Sequence, residues 1–230
     1  MAGKGDSVRA ILYALGANFA IFVAKAVAAA LTGSGAMLAE AVHSLADCAN
    51  QGLLLLGGVA RADDALVARL TAAAPGANPK VISLATRAAE CARKQGLLDG
   101  FRHLAVIDYS LPSTQPRLWV FDVTQGRLLY KELVAHGRNT GERVAERFSN
   151  VEGSKMSSLG LYQAAETYYG SNGYSLRLRG LDAGFNDNAL ARAIVMHGAP
   201  YVSQAIAERL GRLGRSWGCP AVRQEVARGV

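Results

Sequence analysis

The sequence predicts a mainly β domain with flanking helices, preceded by an N-terminal transmembrane helical segment. Three observations support this fold class. A long apolar run occupies residues 8–31, and the composition becomes that of an ordinary soluble protein after Gly57 and Gly58. Beyond residue 100, several short runs alternate hydrophobic with polar residues and are separated by turn-forming residues. Such alternation is typical of half-buried strands.

The apolar run over residues 8–31 contains only two charged residues, Arg9 and Lys25. At about 1.5 Å per residue, a helix of this length can cross a hydrocarbon core of about 30 Å. A second helical stretch, residues 36–57, follows a short break. It carries polar residues at steps of three and four, which places them on one helix face: Glu40, His43, Asp47 and Gln51.

Two helices are predicted at the start of the soluble part. The first follows a cap at Asp63 or Asp64 and ends before Pro75. The second begins at Pro79 and runs to about Leu98. We expect its Cys91 to be a buried core thiol on the face formed by Val81, Leu84 and Ala88.

The remaining soluble sequence is predicted to be mostly strand. Five runs have strand character, and they cover residues 104–110, 117–123, 127–135, 173–180 and 191–198. The last of these is short and apolar, and it ends on His197 and Gly198. Together these runs predict an antiparallel β architecture, a sandwich or barrel, with the helices at its flank.

Charge is distributed unevenly along the chain. The first 57 residues hold three basic and three acidic side chains, so the whole net charge of +7 falls on the remainder. A basic domain favours anionic partners, such as an anionic membrane face or a substrate with carboxylates. The basic residues are scattered and no nucleic-acid-binding motif is present, so we expect no nucleic-acid partner. The three cysteines have no disulfide or zinc-ligand spacing.

Cys219, in GRSWGCPAV (residues 214–222), is either a packed core thiol or a nucleophile. Pro220 disfavours the helical conformation at Cys219, so a helix dipole is not expected to lower the pKa of the thiol. A nucleophilic Cys219 therefore needs a base or cation nearby. Because proline has no N–H, oxyanion donors from this loop must be the N–H groups of Trp217, Gly218 and Cys219.

The base must be one of four histidines. His43 lies in the helical segment, and His103 is expected at the surface. His136 follows a strand and is either a second site residue or a loop histidine. His197 ends an apolar strand, which is a good way to place an imidazole at a sheet edge, although a lone histidine there is more often structural.

Taken together, the stretches MHGAPYVS (196–203) and GRLGRSWGCPAV (211–222) resemble the catalytic signature of the murein L,D-transpeptidase catalytic domains (YkuD-type). Further motifs match that family in order, so that the resemblance covers about residues 60–225. They include VIDYSLPS (106–113), VAHGRNTG (134–141), SSLGLY (157–162) and GFNDNALARAIVMHGA (184–199). The resemblance implies an L,D-transpeptidase-like β-sandwich or barrel.

The resemblance also implies roles for individual residues. Cys219 is the expected nucleophile, His197 its base, and the Gly198 carbonyl the group that orients the imidazole. Ser216 would hold the turn, and the N–H groups of Trp217, Gly218 and Cys219 would form the oxyanion hole. Arg215 is either a contact for a substrate carboxylate or a surface arginine. Many family members have histidine where this chain has Trp217, and this difference affects the expected donors and pocket shape.

The function implied is cysteine-dependent acyl transfer on peptidoglycan stem peptides, with 3-3 type cross-linking or related cell-wall remodelling as the outcome. The resemblance implies no metal ion and no organic cofactor. Two alternatives stay open. One is a catalytically idle module that binds cell-wall peptides, and the other is a divalent-cation transporter fragment. The acyl acceptor, whether an amine or water, is also left open.

The second alternative comes from TGSGAMLAEAVHSLADCANQ, which resembles the second transmembrane helix of the cation diffusion facilitator transporters. His43 and Asp47 match the HxxxD metal ligands of that family. Two ligands do not close a tetrahedral site. We therefore predict that residues 1–58 are a transporter-like transmembrane segment, either a native anchor or a segment joined to the domain by a gene fusion or gene-model artefact, and that residues 59–230 are the catalytic domain.

The predicted location follows from the membrane segment. Lys4 and Arg9 favour a cytoplasmic N-terminus. If only residues 8–31 span the membrane, the catalytic domain lies in the periplasm, where peptidoglycan is found. If the second stretch also spans, the catalytic domain returns to the cytoplasm. The polar face of the second stretch disfavours independent insertion, so we predict a single span with the enzyme outside.

Overall fold

The computed structural model describes residues 4–33, 36–38, 40–42, 44, 45 and 64–230. Contacts divide the chain into two units, residues 1–61 and 62–230, and each is described by itself. The division between residues 58 and 59 into an anchor and a catalytic domain stays a prediction.

The first unit begins with helix α1, Lys4–Thr32. Its segment Leu15–Thr32 is long and apolar enough to cross a membrane. Gly33 ends the helix in the left-handed region, with φ 66°. A salt bridge of 2.9 Å joins Lys25 Nζ to Glu40 Oε2.

The second helical stretch is described only in part. The described residues between 36 and 45 are helical. His43 and Asp47, which match the transporter ligands, lie outside the described residues. So does Cys48, for which the surrounding apolar run predicts a core thiol.

The second unit opens with helices α2, Asp64–Ala73, and α3, Pro79–Lys94. Asn78 caps α3, since its Oδ1 accepts a hydrogen bond of 3.0 Å from the Lys80 N–H. The prediction for Cys91 was wrong, because its side chain is exposed. The buried face of α3 is offset from the predicted one, and its members are Ile82, Thr86, Ala89 and Ala92.

The first sheet is an antiparallel meander of three strands, β1 (His103–Ile107), β2 (Leu118–Asp122) and β3 (Arg127–Glu132). Every residue of the central strand β2 is buried, because both faces of the sheet are covered. Trp119 and Phe121 pack in one apolar cluster with α2 and α3. Leu118 and Val120 pack in a second cluster with residues of the other sheet.

The second sheet has four strands in the order β4 (Tyr162–Gly170), β5 (Gly173–Gly180), β6 (Val195–Gly198) and β7 (Ala221–Val222). The first two pairings are antiparallel, and β6 pairs with β7 in parallel. The predicted fold class, mainly β with flanking helices after an apolar N-terminal helix, is confirmed.

Two short helical elements complete this unit. Helix α4, Gln204–Leu210, lies between β6 and β7, and a single 3₁₀ turn, Gln224–Val226, follows β7. Ser203 caps α4 through a hydrogen bond of 3.2 Å from the Ile206 N–H to its Oγ. Ala207 of α4 packs in a third apolar cluster with Leu213 and Ala221. This packing helps to fix the long connection that separates His197 from Cys219.

Candidate active site

The parallel pairing of β6 with β7 brings the two predicted reactive segments together. His197 is opposite Ala221 in the register, two residues after Cys219. The His197 N–H donates to the Pro220 carbonyl at 3.4 Å. His197 and Cys219, which are 22 positions apart in sequence, therefore lie on neighbouring backbone segments where β6 pairs with β7.

The histidine is held in one orientation by its neighbour. His197 is buried, and its Nδ1 lies 2.9 Å from the Gly198 carbonyl oxygen. A carbonyl can only accept, so Nδ1 carries the proton and Nε2 keeps its lone pair. Burial lowers the pKa of His197 below its usual value. The ring is thus a neutral imidazole near neutral pH, which is the form that accepts a proton.

The turn before Cys219 is organised by Ser216. The buried Ser216 Oγ donates to the Cys219 carbonyl at 2.6 Å and accepts a hydrogen bond of 3.1 Å from the Gly218 N–H. This differs from the expectation that the Gly218 N–H is a free oxyanion donor. Of the predicted set, the N–H groups of Trp217 and Cys219 remain as donors that Ser216 does not occupy.

The Cys219 thiol is half-buried. Burial raises the pKa of the thiol, against the lowering effect of hydrogen bonds from the Val195 and Cys219 backbone and of the charge on Arg192. The Sγ–H donates to the Ala193 carbonyl at 3.8 Å. Cys219 is therefore a neutral thiol near neutral pH, and it needs a base to become a nucleophile.

Two residues around the sulfur were not found by sequence reasoning. Ala193 has φ 52°, in the left-handed region, and this conformation accompanies the contact of its carbonyl with the thiol. Arg192 is the neighbouring cation. Both belong to the segment ARAIVMHG, in which strand character was predicted from residue 191. The strand itself begins only at Val195.

His136 contacts the backbone of the cysteine turn. It is buried, and its backbone carbonyl accepts the Ser216 N–H at 3.0 Å. Burial, together with the charge of Arg117, lowers the pKa of its imidazole to about 4. Of the two interpretations that the sequence left open, the structure therefore favours a structural histidine.

Hydrogen bonds also connect Gly137, the residue after His136, to the cysteine turn through Ser157. The Gly137 N–H donates to Ser157 Oγ at 3.0 Å, and Ser157 Oγ–H donates to the Gly218 carbonyl at 3.1 Å. A Cβ at Gly137 would lie only 2.5 Å from the Lys155 carbonyl oxygen and 3.0 Å from Gly218 Cα. Close backbone approach thus explains why glycine follows His136.

The other two predicted substrate contacts lie at the surface of the turn. Trp217 is 71 % exposed, and the Lys155 ammonium lies 5.2 Å from the centre of its ring. Arg215 Nη1 forms a salt bridge of 2.6 Å with Glu142. The same nitrogen donates to two backbone carbonyls of the loop before Glu142. Arg215 is therefore already paired in this structure.

Within the described residues, no group of three or more His, Cys, Asp or Glu side chains is placed to hold a metal ion. The arrangement consists of a thiol, a neutral imidazole with a free Nε2, backbone N–H groups and a nearby guanidinium. These groups can perform nucleophilic acyl transfer by proton removal from the thiol.

Comparison with protein families gives two matches. A family model described as the L,D-transpeptidase catalytic domain matches residues 73–230. A model described as the cation efflux transmembrane domain matches residues 11–65. Both resemblances seen in the sequence are thereby confirmed. No curated protein and no solved structure matches the chain.

Proposed function

The chain belongs to the L,D-transpeptidase catalytic domain family, and from that premise we propose that it performs cysteine-dependent acyl transfer on peptidoglycan stem peptides. Cys219 is the proposed nucleophile and His197 its base. The observation that carries the proposal is the β6–β7 pairing, which brings a histidine with a free Nε2 to the segment that follows the cysteine.

The first half of the proposed reaction forms a thioester. His197 Nε2 takes the proton from Cys219 Sγ, and the sulfur attacks the carbonyl carbon of the third stem residue. The tetrahedral intermediate then collapses, and its C–N bond to the terminal D-alanine breaks. The leaving amine takes the proton from His197 as it departs.

The second half returns the enzyme to its starting state. An acceptor amine, or water, attacks the thioester carbonyl and gives its proton to His197 Nε2. The C–S bond breaks, and the sulfur recovers the proton. With an amine the product is a cross-link, and with water it is a shortened peptide. Both steps need donors for the oxyanion, and the Trp217 and Cys219 N–H groups are proposed for that role.

Arg215 is proposed as a carboxylate contact under one condition. Its Nη1 is paired with Glu142, whose carboxylate is largely exposed. A substrate carboxylate would have to replace Glu142 at this guanidinium. Glu142 also forms a salt bridge of 3.0 Å with Arg212, so it keeps one cationic partner when it is displaced. Arg215 would then select anionic substrates without being an unpaired cation in the free protein.

We test the nucleophile with a carbapenem, a β-lactam whose strained carbonyl accepts a thiolate. Intact-mass spectrometry of the full chain should show one covalent adduct. Cys219→Ala should abolish it, and His197→Ala should slow its formation by about 100-fold or more. Cys91→Ala is the matched control and should react like the wild type. No adduct on folded protein would contradict the enzyme and favour the idle module.

The idle module is the second candidate, and one observation favours it. The Gly218 N–H is occupied by Ser216, which removes one of the three expected oxyanion donors. Release of D-alanine from a stem tetrapeptide separates the two functions. The enzyme must release it in a Cys219-dependent way, whereas the module would bind the peptide unchanged.

The membrane segment supports an anchored location. We propose that α1 spans the cytoplasmic membrane and that the catalytic domain lies in the periplasm, where its substrate is. Protease treatment of spheroplasts tests this topology. External protease should degrade the C-terminal domain, and full protection of that domain in intact spheroplasts would contradict the proposal.

A further inference from the structure

Arg192 is half-buried, and both Nη atoms of its guanidinium donate hydrogen bonds within the protein. Its Nη1 donates to the Ser149 carbonyl at 2.7 Å and to Ser158 Oγ at 3.2 Å. Its Nη2 donates to the Met156 carbonyl at 2.6 Å and to Ser154 Oγ at 3.3 Å. Four of the five N–H bonds of a guanidinium are on its Nη atoms. All four are thus used within the protein.

The charge of Arg192 is not neutralised by these partners. All four acceptors are carbonyl or hydroxyl oxygens, which carry no net charge. No salt bridge in the described part of the chain includes Arg192. Burial lowers the pKa of its guanidinium, which reflects partial loss of water around the cation. A cation in that state interacts strongly with any anion that forms nearby.

The cation is adjacent to the cysteine turn. A Cβ built on Gly218 would lie 3.3 Å from Arg192 Nη2 and 2.8 Å from the Met156 carbonyl oxygen. Cys219 is the next residue. The absence of a side chain at Gly218 is therefore what lets the guanidinium approach this part of the turn. The charge on Arg192 lowers the pKa of the Cys219 thiol.

We propose that Arg192 is the fixed cation that stabilises the Cys219 thiolate, so that His197 moves the proton while Arg192 compensates the charge that the sulfur acquires. This inference rests on the proposed function of Cys219 as a nucleophile. Arg192 is a positioning residue, since it acts on the substrate only through the sulfur. Its occupied Nη donors argue against direct binding of a substrate carboxylate.

The proton balance is simple. Transfer from Sγ to Nε2 turns a neutral pair, the Cys219 thiol and the His197 imidazole, into a thiolate and an imidazolium. Arg192 keeps its proton and its hydrogen bonds throughout. Because its donors are already oriented by the loop of residues 149–158, little reorganisation is needed when the negative charge appears.

The other titratable groups that interact with Cys219 do not obscure its titration. Burial is the main cause that raises the pKa of both Tyr109 and Tyr201 to about 12, so they stay neutral between pH 6 and 10. Burial lowers the pKa of His197 and raises that of the Cys219 thiol, so the imidazole is neutral at the alkaline pH where the thiol titrates. A shift of the thiol titration in an Arg192 variant can therefore be assigned to the lost cation.

The test is the pH dependence of Cys219 alkylation by iodoacetamide in the full chain in detergent, measured by peptide mass spectrometry with Cys91 as internal reference. Arg192→Gln should raise the apparent pKa of the Cys219 thiol by about one pH unit and slow alkylation near pH 7 about tenfold. Arg192→Lys should keep most of the wild-type value. The exposed Arg179→Gln is the matched control and should change nothing.

A double variant separates charge from loop structure. Ser154→Ala with Ser158→Ala removes two of the four hydrogen bonds of the Arg192 guanidinium and keeps the cation. It also removes the hydrogen bonds of these hydroxyls with the Met156 N–H and the Tyr162 hydroxyl, so it should lower the melting temperature without shifting the thiol titration. An unchanged titration in folded Arg192→Gln would overturn the proposal. The proposal would also be overturned if Arg192→Lys raised the pKa of the Cys219 thiol as much as Arg192→Gln does. It would likewise be overturned if the serine double variant raised that pKa by about one pH unit. The serine variant therefore decides the question even if Arg192→Gln does not fold.

This measurement uses no peptidoglycan. A protein that shows the expected shift but releases no D-alanine from a tetrapeptide would refute the proposed function and retain the thiolate–cation pair. If the wild-type protein releases D-alanine while the Cys219 thiol of Arg192→Gln titrates like that of the wild type, the proposed function is retained and the thiolate–cation pair is refuted.

Discussion

Arg117 Nη2 donates a hydrogen bond of 2.7 Å to Nδ1 of the buried His136. Because a guanidinium can only donate, Nδ1 must be the unprotonated nitrogen. Nε2–H then donates to the Gly141 carbonyl at 3.2 Å. The ring is held in its neutral form beneath the cysteine turn, and protonation would place two cations in direct contact.

Burial of His136, together with its contact with Arg117, predicts that stability falls with acidification. The folded pKa of His136 is about 4, below the value of about 6.5 expected in the unfolded chain. The unfolded state therefore binds the proton first as the pH decreases. The contribution of neutral His136 to the free energy of unfolding is complete above pH 6.5. It is lost progressively as the pH falls toward 4, by up to about 3 kcal/mol.

Melting temperatures between pH 7.5 and 4.5 measure this dependence. His136→Gln should be less stable at pH 7.5 and should show a shallower decline. The exposed His103→Gln is the control and should keep the wild-type slope. An equally steep decline in His136→Gln would show that other groups, such as His197, dominate the acid response.

Gly137→Ala should destabilise the protein and disturb the cysteine turn. The new Cβ would meet the Lys155 carbonyl oxygen at 2.5 Å, and that oxygen belongs to backbone that cannot move freely. We expect a loss of about 1–3 kcal/mol in urea unfolding together with slower carbapenem acylation. Gly100→Ala, with open space around its Cβ, should behave like the wild type. Equal behaviour of the two variants would contradict the proposed backbone approach.

Ala193 occupies the left-handed region with φ 52°. The effect of a substitution there on stability should therefore depend on how well the new residue tolerates a positive φ. Ala193→Gly relieves the cost of about 1–2 kcal/mol that an L-residue pays there, and should preserve or increase stability. Ala193→Val should destabilise the protein, since a β-branched residue is least tolerated in this region. Urea unfolding measures both effects. A valine variant as stable as the wild type would mean that φ at 193 is not positive in solution.

Ser216→Ala should cost about 1–3 kcal/mol, because the Cys219 carbonyl and Gly218 N–H lose their common partner in a buried turn. Alkylation of Cys219 should change in rate as the turn loosens. Ser171→Ala, in the exposed β4–β5 turn, is the control and should leave both stability and alkylation unchanged. Wild-type stability of Ser216→Ala would show that water or a neighbouring group replaces the hydroxyl.

The fold was predictable where local patterns were strong. The alternating run at 173–180 is strand β5 with its predicted limits, and Pro79 begins α3. Strand β4 was not predicted because YQAAETYYG contains residues that favour helices, such as alanine and glutamate. Its pairing with β5 overrides that preference. The two-residue strand β7 is too short to leave a periodic signal.

The buried face of α3 illustrates a different limit. An apolar stripe with Cys91 and Leu84 looked like the core face, yet both are exposed. The face that packs against Trp119 and Phe121 includes Ile82 and Ala89. On this alanine-rich helix, two neighbouring faces both carry apolar residues, so the sequence leaves the rotation about the helix axis undetermined. Only the position of the sheet selects one face.

The sequence alone determined the apolar helix, the alternating strands and the two ordered motifs around His197 and Cys219, because each depends on neighbouring residues. Tertiary structure decided what those motifs can do. It paired β6 with β7, fixed the Nδ1–H tautomer of His197, made His136 a neutral support, and placed the uncompensated Arg192 beside the turn. These properties depend on distances between residues far apart in the chain and on the local loss of water, which exist only after the chain has packed.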